Sequence, residues 1–267
     1  MIDAEERSKI AERAARAGGE LALERFKTDL EVETKAHGTD AVTAADRETQ
    51  RRVIEVIRES VPDEPVVGEE ADVAKTVPET GPAWVIDPID GTSNYVRHVP
   101  LWATSVAAML DGEPVAAANA HPALGEVYVA GEERTRLNGE SIAVSEREDP
   151  EACIVATTFW WETERSAEFA ALIGKLTDHF GDVRRYGSAQ VTLSLVAAGG
   201  LDGVVSNVTP NAWDSAAGAH LIRRAGGTVT DVHGERWTLE SKGFVASNGH
   251  VHEELLEAAL MAVDAEA

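Results

Sequence analysis

Cysteine is almost absent from this sequence of 267 residues, in which Cys153 is the only one. A single cysteine excludes an intrachain disulfide and a cysteine-rich zinc site, so we expect Cys153 to be a small buried side chain. Lysine is also scarce, with six residues, and the formal net charge is −23. The phosphate backbone of a nucleic acid would be repelled by such a charge, which argues against a nucleic-acid partner.

Long apolar runs are missing as well. No stretch reaches the roughly 18 consecutive apolar residues that a membrane helix needs. Residues 1–20 are charged and helical in pattern, unlike a signal peptide, so we expect a cytoplasmic protein without a membrane partner. The carboxylates are spread along the whole chain, which is typical of proteins from salt-loving organisms and predicts a halophilic protein.

The order of apolar patterns predicts an α/β fold. Apolar residues at helical spacing predict a first helix over 3–27, and a polar loop leads into a second helix over about 44–60. Further strands and helices alternate along the chain, which favours packed layers. Strands are predicted within 64–70, 83–86, 103–110, 114–120, 125–130, 136–144, 152–159, 203–206 and 228–232, and helices over 164–180, 190–200 and 213–227. Asp111-Gly112 and Asn138-Gly139 predict hairpin turns, and a weak boundary divides the compact unit into lobes of residues 1–146 and 147–267.

A short acidic motif follows one of these strands. Asp87 and Asp90 lie in the segment Asp-Pro-Ile-Asp-Gly-Thr, directly after an apolar run. We expect Pro88 to end the strand and to form a turn that brings both carboxylates into one space. Gly91 allows a close backbone approach to a ligand, and the N–H groups of Gly91 and Thr92 open the next helix, where phosphate oxygens can bind.

Two more acids stand where they can join this motif. Glu69 ends another strand, and Asp214 begins a helix, where its carboxylate can either cap the helix or turn towards a metal ion. Taken singly, such acids are more often caps or turn residues. Hard oxygen ligands without cysteine or clustered histidine suit Mg²⁺ or Mn²⁺, and two such ions would clamp the attacking and leaving oxygens of a phosphoryl transfer.

These motifs, in this order, resemble those of the inositol monophosphatase family. The resemblance rests on Gly68-Glu69-Glu70, on Trp84 to Tyr95, and on Trp213 to Gly218. Two further stretches, Asp40 to Asp46 and Arg185 to Ala189, are similar to the family's loop before the second helix and to its segment near the substrate. The family implies a five-layer α-β-α-β-α sandwich, usually a homodimer, and a magnesium-dependent, lithium-sensitive phosphatase.

The resemblance also implies the metal ligands. Glu69, Asp87 and the backbone carbonyl of Ile89 would hold one Mg²⁺, and Asp87, Asp90 and Asp214 would hold a second. Glu69 would also reach a third, looser ion.

It implies roles in catalysis and substrate binding as well. Thr92, paired with Asp46, would orient and deprotonate the attacking water, with Glu69 also at the catalytic centre. Because a threonine hydroxyl is not a strong base, Thr92 can only relay a proton to Asp46 or position a water whose pKa the ions lower. The substrate-binding set would comprise Asp90, Gly91, Thr92, Ser188, Ala189, Asn207 and Asp214, with Lys35 on a loop that closes over the site.

Asn207 is a departure from the family pattern. It stands seven positions before Asp214, where relatives that prefer inositol carry a glutamate, and a shifted loop would put Ser206 or Asn211 there instead. The substrate therefore stays open between inositol 1-phosphate and fructose 1,6-bisphosphate. A nucleotide 3′-phosphatase, or a catalytically silent member that acts through protein contacts, is the alternative. Trp160 and Trp161 could line the pocket, but a core residue beside a rim residue is the simpler interpretation.

Overall fold

The computed structural model describes residues 2–28, 32–34, 41–70, 73–159 and 163–264. Within these ranges the chain forms seven α-helices: α1 Ala4–Arg25, α2 Ala44–Ser60, α3 Thr92–Tyr95, α4 Ser166–His179, α5 Ala189–Ala197, α6 Ala212–Arg224 and α7 His252–Asp264. Four residues named in the predictions above lie outside the described residues: Lys35, Asp40, Trp160 and Trp161.

The strands in the described ranges form two large sheets and one short ribbon. The ribbon pairs β1 Val32–Thr34 with β2 Ala41–Thr43. The strands of the first large sheet are β3 Val66–Gly68, β4 Pro82–Asp90, β5 Ala103–Leu110, β6 Glu113–His121, β7 Glu126–Ala130, β8 Arg136–Leu137 and β9 Glu140–Ser141. Those of the second are β10 Ile154–Thr157, β11 Asp182–Arg184, β12 Gly203–Ser206, β13 Thr228–Thr230 and β14 Phe244–Ser247.

The first sheet is a meander in chain order, β3 to β9, in which only the β3–β4 pair is parallel. Tight turns produce this order, as predicted. Asp111 and Gly112 have φ values of 51° and 79°, and Asn138 and Gly139 have 49° and 90°. Positive φ at both central residues matches the right-handed twist of the flanking strands.

The second sheet has the order β11-β10-β12-β14-β13. β10 runs parallel to β11 and β12, whereas β14 is antiparallel to β12 and β13. Five elements were not predicted from the sequence: β1, β2, β11, β14 and α7. β2 lies in the segment predicted to be a polar loop. The four strands have only three or four residues each, too few for a clear periodic signal.

The layers follow the predicted α-β-α-β-α order. Helices α1 and α2 cover one face of the first sheet, α5 and α6 lie between the two sheets, and α4 and α7 cover the outer face of the second. The middle helices pack closely because α6 is rich in small residues: a Cβ added at Gly218 would lie 2.3 Å from Leu193 Cδ1. This packing brings the N-termini of α5 and α6 to the same side of the molecule as the end of β4.

The prediction that Pro88 ends its strand is wrong. β4 continues through Pro88 to Asp90, and the register with β5 shifts between Asp87 and Asp90. A proline is tolerated at such an irregularity because no ladder donor is needed there. Thr104 in β5 donates its hydroxyl to the Pro88 carbonyl at 2.8 Å, so the bulge is stabilised from the neighbouring strand.

Cys153 is fully buried, as predicted, in the apolar cluster between the second sheet, α4 and α7.

The helices in the described part of the chain include none with the length and apolar character of a membrane span. The proposed division at residues 146 and 147 falls in the connection between the two sheets and stays a prediction.

Candidate metal and phosphate site

A cavity of about 700 Å³ opens where β4 ends and the N-termini of α5 and α6 meet. Its wall contains most of the predicted site residues: Glu69, Asp87, Ile89, Asp90, Gly91, Thr92, Ser188, Ala189 and Asp214. These residues come from four separated parts of the chain. The fold therefore assembles the predicted site from distant segments.

Three of the carboxylates form a tight group. Oxygen atoms of Asp87, Asp90 and Asp214 all lie within 4.8 Å of one another. Asp87 and Asp90 are 1% and 5% exposed, and Asp214 is partly buried. The bulge in β4 explains how two acids three residues apart in one strand reach the same point.

The pKa values of these acids are raised. Burial, and next the charge of Glu69, hold the pKa of Asp87 well above its usual value. Burial raises the pKa of Asp214 to about 8, with further contributions from Asp90 and Glu69. Burial also raises the pKa of Asp90 to about 6, although hydrogen bonds to its carboxylate oppose the rise. Protein groups alone therefore leave this negative charge poorly compensated.

The residues fit a divalent cation. Asp87 Oδ1 is a buried oxygen without a hydrogen-bond partner among the described residues. An unpaired buried acceptor is costly unless something binds it. The atoms that could bind a metal ion here are all carboxylate oxygens, which are the hard ligands that Mg²⁺ and Mn²⁺ prefer. Asp87, Asp90 and Asp214 would hold the cation, and Glu69 lines the same cavity without belonging to the tight group.

Thr92 and Asp46 form the predicted pair beside this cluster. The Thr92 hydroxyl lies 3.2 Å from Asp46 Oδ1 and 3.0 Å from the Ile89 carbonyl. A hydroxyl has one proton, so it donates to one of these oxygens at a time. Asp46 is fully buried in the first turn of α2, and Thr92 stands between it and the cavity.

The N-terminus of α5 binds Asp90. The Ser188 hydroxyl donates to Asp90 Oδ2, as does the N–H of Gln190 at 2.7 Å, and the N–H of Ala189 donates to Oδ1 at 3.1 Å. A helix N-terminus favours a carboxylate in this place because its first N–H groups have no partner inside the helix. The Ala189 N–H predicted to bind phosphate is thus taken by Asp90. Ser188 contacts the same carboxylate and also caps α5.

Gly91 is required by geometry. Its φ of +90° lies in the left-handed region, and an added Cβ would stand 2.9 Å from the Ser188 Cβ. Only glycine meets both conditions easily. Gly91 and Thr92 line the cavity, and their backbone donation to phosphate stays a prediction.

The structure does not bring Asn207 into the site. Asn207 is 6% exposed, and its Nδ2 donates to the Ala259 carbonyl at 3.3 Å. It lines a small adjoining pocket of about 20 Å³, which shares Thr157 and Thr158 with the cavity wall. Asn207 is the first residue after β12, and its amide contacts α7 instead of the cavity. Asn211, one of the two alternatives, lies in the cavity wall and donates to Asp214 Oδ2 at 2.9 Å.

Several residues of the cavity wall were not predicted from the sequence. Arg97 and Arg185 bring positive charge to its wall, and Asn94 clamps the carbonyls of Leu101 and Tyr186 at 2.7 Å each. Asn94 lies in the short helix after Gly91, and Arg97 lies in the turn that follows it, so closeness to the acidic motif was the available signal. Arg185 lies within the segment that resembles the family.

Comparisons with known proteins identify the family of this chain. Residues 3–264 match the inositol monophosphatase family, and the chain belongs to that family. It is 36% identical over 228 residues to the fructose-1,6-bisphosphatase/inositol-1-monophosphatase of Thermotoga maritima, covering 85% of each chain. It is 34% identical over 250 residues to the Nus factor SuhB of Escherichia coli K12, covering 92% of this chain and 93% of that one.

A solved structure extends the likeness to three dimensions. The Thermotoga maritima IMPase superposes with a TM-score of 0.88 at 32% identity, over 98% of this chain and all of that one. The layered α/β fold and a phosphatase-type function are thereby supported, while the relatives' different names leave the substrate open.

Proposed function

We propose that this protein is a magnesium-dependent phosphomonoesterase that hydrolyses a small phosphorylated sugar or polyol. The observation that carries the proposal is the group of three carboxylates within 4.8 Å, beside the Thr92–Asp46 pair. One oxygen of Asp87 has no hydrogen-bond partner in the described part of the chain. Such a site can hold hard cations, bind a phosphate through them and direct a water at it.

The chain's own residues prepare the nucleophile. Mg²⁺ held by Asp87, Asp90 and Asp214 would supply charge for the phosphate oxygens and would lower the pKa of a nearby water. When Thr92 donates its proton to Asp46, a lone pair of Thr92 Oγ1 accepts a hydrogen bond from the attacking water and orients it. As the water oxygen bonds to phosphorus, its proton passes to Thr92 Oγ1 and the threonine proton passes to Asp46 Oδ1. The bond from phosphorus to the ester oxygen breaks, and the substrate's alcohol leaves after taking up a proton from solvent water. Asp46 is thus the proton acceptor, and Thr92 is the relay.

The cavity favours a small anionic substrate. A volume of about 700 Å³ is in the range of pockets for small ligands. Arg97 and Arg185 supply positive charge in a wall that is otherwise rich in carboxylates. Inositol 1-phosphate and fructose 1,6-bisphosphate are the main candidates, and a nucleotide 3′-phosphate is a weaker one. The dual name of the Thermotoga maritima relative supports testing both main candidates.

A second candidate is a role without catalysis. It is favoured by the relatives named Nus factor SuhB. A silent member need not keep its chemical groups, yet Glu69, Asp87, Asp90 and Asp214 are all present, together with the Thr92–Asp46 hydrogen bond. This retained set favours the phosphatase.

The test is phosphate release from a panel of the three substrate types with Mg²⁺, at low and molar KCl. Thr92→Ala is the matched negative control, since it removes the relay hydroxyl and leaves the carboxylates. We expect release from at least one sugar or polyol phosphate by the wild type, and release at least about 100-fold slower by Thr92→Ala. If the folded wild type releases no phosphate from any of them, the proposal is wrong.

A further inference from the structure

Lys75 lies outside the acidic motifs, yet its ammonium group contacts two of the segments that carry them. Its Nζ donates to the carbonyls of Gly68, Glu69 and Glu70 at 2.8, 2.7 and 2.7 Å. An ammonium has three protons, so these three carbonyls can accept all of them. Residues 68–70, called the Glu69 turn below, therefore have all three of their carbonyls hydrogen-bonded to one positive charge.

The same ammonium faces the helix that carries Asp214. Lys75 Nζ lies 5.5 Å from the centroid of the Trp213 ring, within the range of a cation–π interaction. Trp213 directly precedes Asp214 in the first turn of α6. One side chain therefore connects the end of β3, where Glu69 stands, with the start of α6.

The backbone carbonyl of Trp213 is fixed by a further hydrogen bond. Gln190 Nε2 donates to the Trp213 carbonyl at 2.8 Å, and Asn119 Nδ2 donates to Gln190 Oε1 at 2.8 Å. These bonds run through buried side chains of β6 and α5. Because Trp213 is anchored to this framework, the contact with Lys75 ties the Glu69 turn to a fixed point.

We propose that Lys75 is a positioning residue that sets the placement of Glu69 relative to Asp214, and thereby the affinity of the site for divalent cations. The idea rests on the proposed function, because it concerns the same metal site. Groups that orient metal ligands without touching the metal typically change affinity by about 10- to 100-fold when they are removed. The contacts of Lys75 are of this kind.

The test measures Mg²⁺ binding directly by calorimetry on the purified protein, with phosphate release as a second readout. Lys75→Met keeps the apolar stem and removes the three donors. We expect its dissociation constant for Mg²⁺ to rise at least about tenfold, while kcat at saturating Mg²⁺ stays within about threefold of wild type. A role limited to loop stability would instead lower the melting temperature of the metal-free protein and leave the Mg²⁺ dependence unchanged.

Two further variants separate position from charge. Lys9→Met removes the same unit of charge from an exposed site on α1 and should bind Mg²⁺ like the wild type. Lys75→Arg keeps the charge, but the planar guanidinium cannot converge on three carbonyls, so its affinity should also fall. Wild-type Mg²⁺ affinity in Lys75→Met or in Lys75→Arg would overturn the inference. Failure of the wild type itself to bind Mg²⁺ would instead refute the proposed function.

Discussion

Asp87→Asn should make the metal-free protein more stable while it removes the response to Mg²⁺. Asp87 is buried against Asp90 and Asp214, with ligand oxygens within 4.8 Å. Two full charges at that separation repel by about 3 kcal/mol at an effective dielectric constant of ~20. Partial protonation reduces this repulsion, so we expect a gain of roughly 1–3 kcal/mol at pH 8, or roughly 2–10 °C in the melting temperature.

The dependence of the metal-free protein's stability on pH has a definite sign. The folded pKa of each clustered acid lies above its ordinary value of 3.8, reaching about 6 for Asp90 and about 8 for Asp214. A raised pKa means that stability is fully present below about pH 4 and is lost as pH rises through the folded values. The metal-free wild type should therefore lose stability between about pH 4 and pH 8, and Asp87→Asn should lose less.

Thermal unfolding with and without Mg²⁺, from pH 4 to pH 8, checks this reasoning. In the wild type, Mg²⁺ should raise the melting temperature most at pH 8; Asp87→Asn should show little rise and no turnover. Asp63→Asn is the control, since Asp63 is an exposed acid outside the site. A metal-free Asp87→Asn protein that is less stable than wild type at pH 8, or that Mg²⁺ still stabilises fully, would refute the argument.

Further predictions concern catalysis, substrate choice and ions. Thr92→Ala should lower kcat by about 10²–10⁴-fold because the proton relay to Asp46 is lost. Thr92→Ser keeps a hydroxyl and should retain most of the wild-type kcat. Equal rates of phosphate release by the two variants would contradict the relay. Asn207→Glu should lower stability by about 2 kcal/mol or more, since it buries a carboxylate, without changing the kcat/KM ratio of inositol 1-phosphate to fructose 1,6-bisphosphate; a changed ratio would restore Asn207 as a substrate contact. The melting temperature should rise from low to molar KCl, because salt screens a net charge of −23; a flat or falling curve contradicts the halophilic expectation. Millimolar Li⁺ at low Na⁺ and K⁺ should slow phosphate release, and unaffected rates would count against an intact second metal site.

Local sequence was sufficient for many of the elements and for most of the site residues. The bounds of α2 and the two Asp-Gly and Asn-Gly turns follow from periodicity and from backbone preferences that act within a few residues. The acidic motif at Asp87 to Thr92 carries its acids, its glycine and its hydroxyl within six consecutive residues. These features were predictable because the interactions that produce them are short in sequence.

Tertiary structure decided how the distant parts meet. The hydrogen bonds of Asp90 to the N-terminus of α5 join residues about 100 positions apart, and they occupy the Ala189 donor that sequence reasoning had assigned to phosphate. Pro88 stays within its strand because a register shift and Thr104 of the next strand accommodate it.

Tertiary structure also decided that Asn211, and not Asn207, lies in the cavity wall. The contact between Lys75 and Trp213 likewise depends on it. Local patterns specify which residues can ligate or donate. Which of them meet depends on loop direction and on the packing of α5 and α6 between the sheets, and those are set by contacts between residues far apart in the chain.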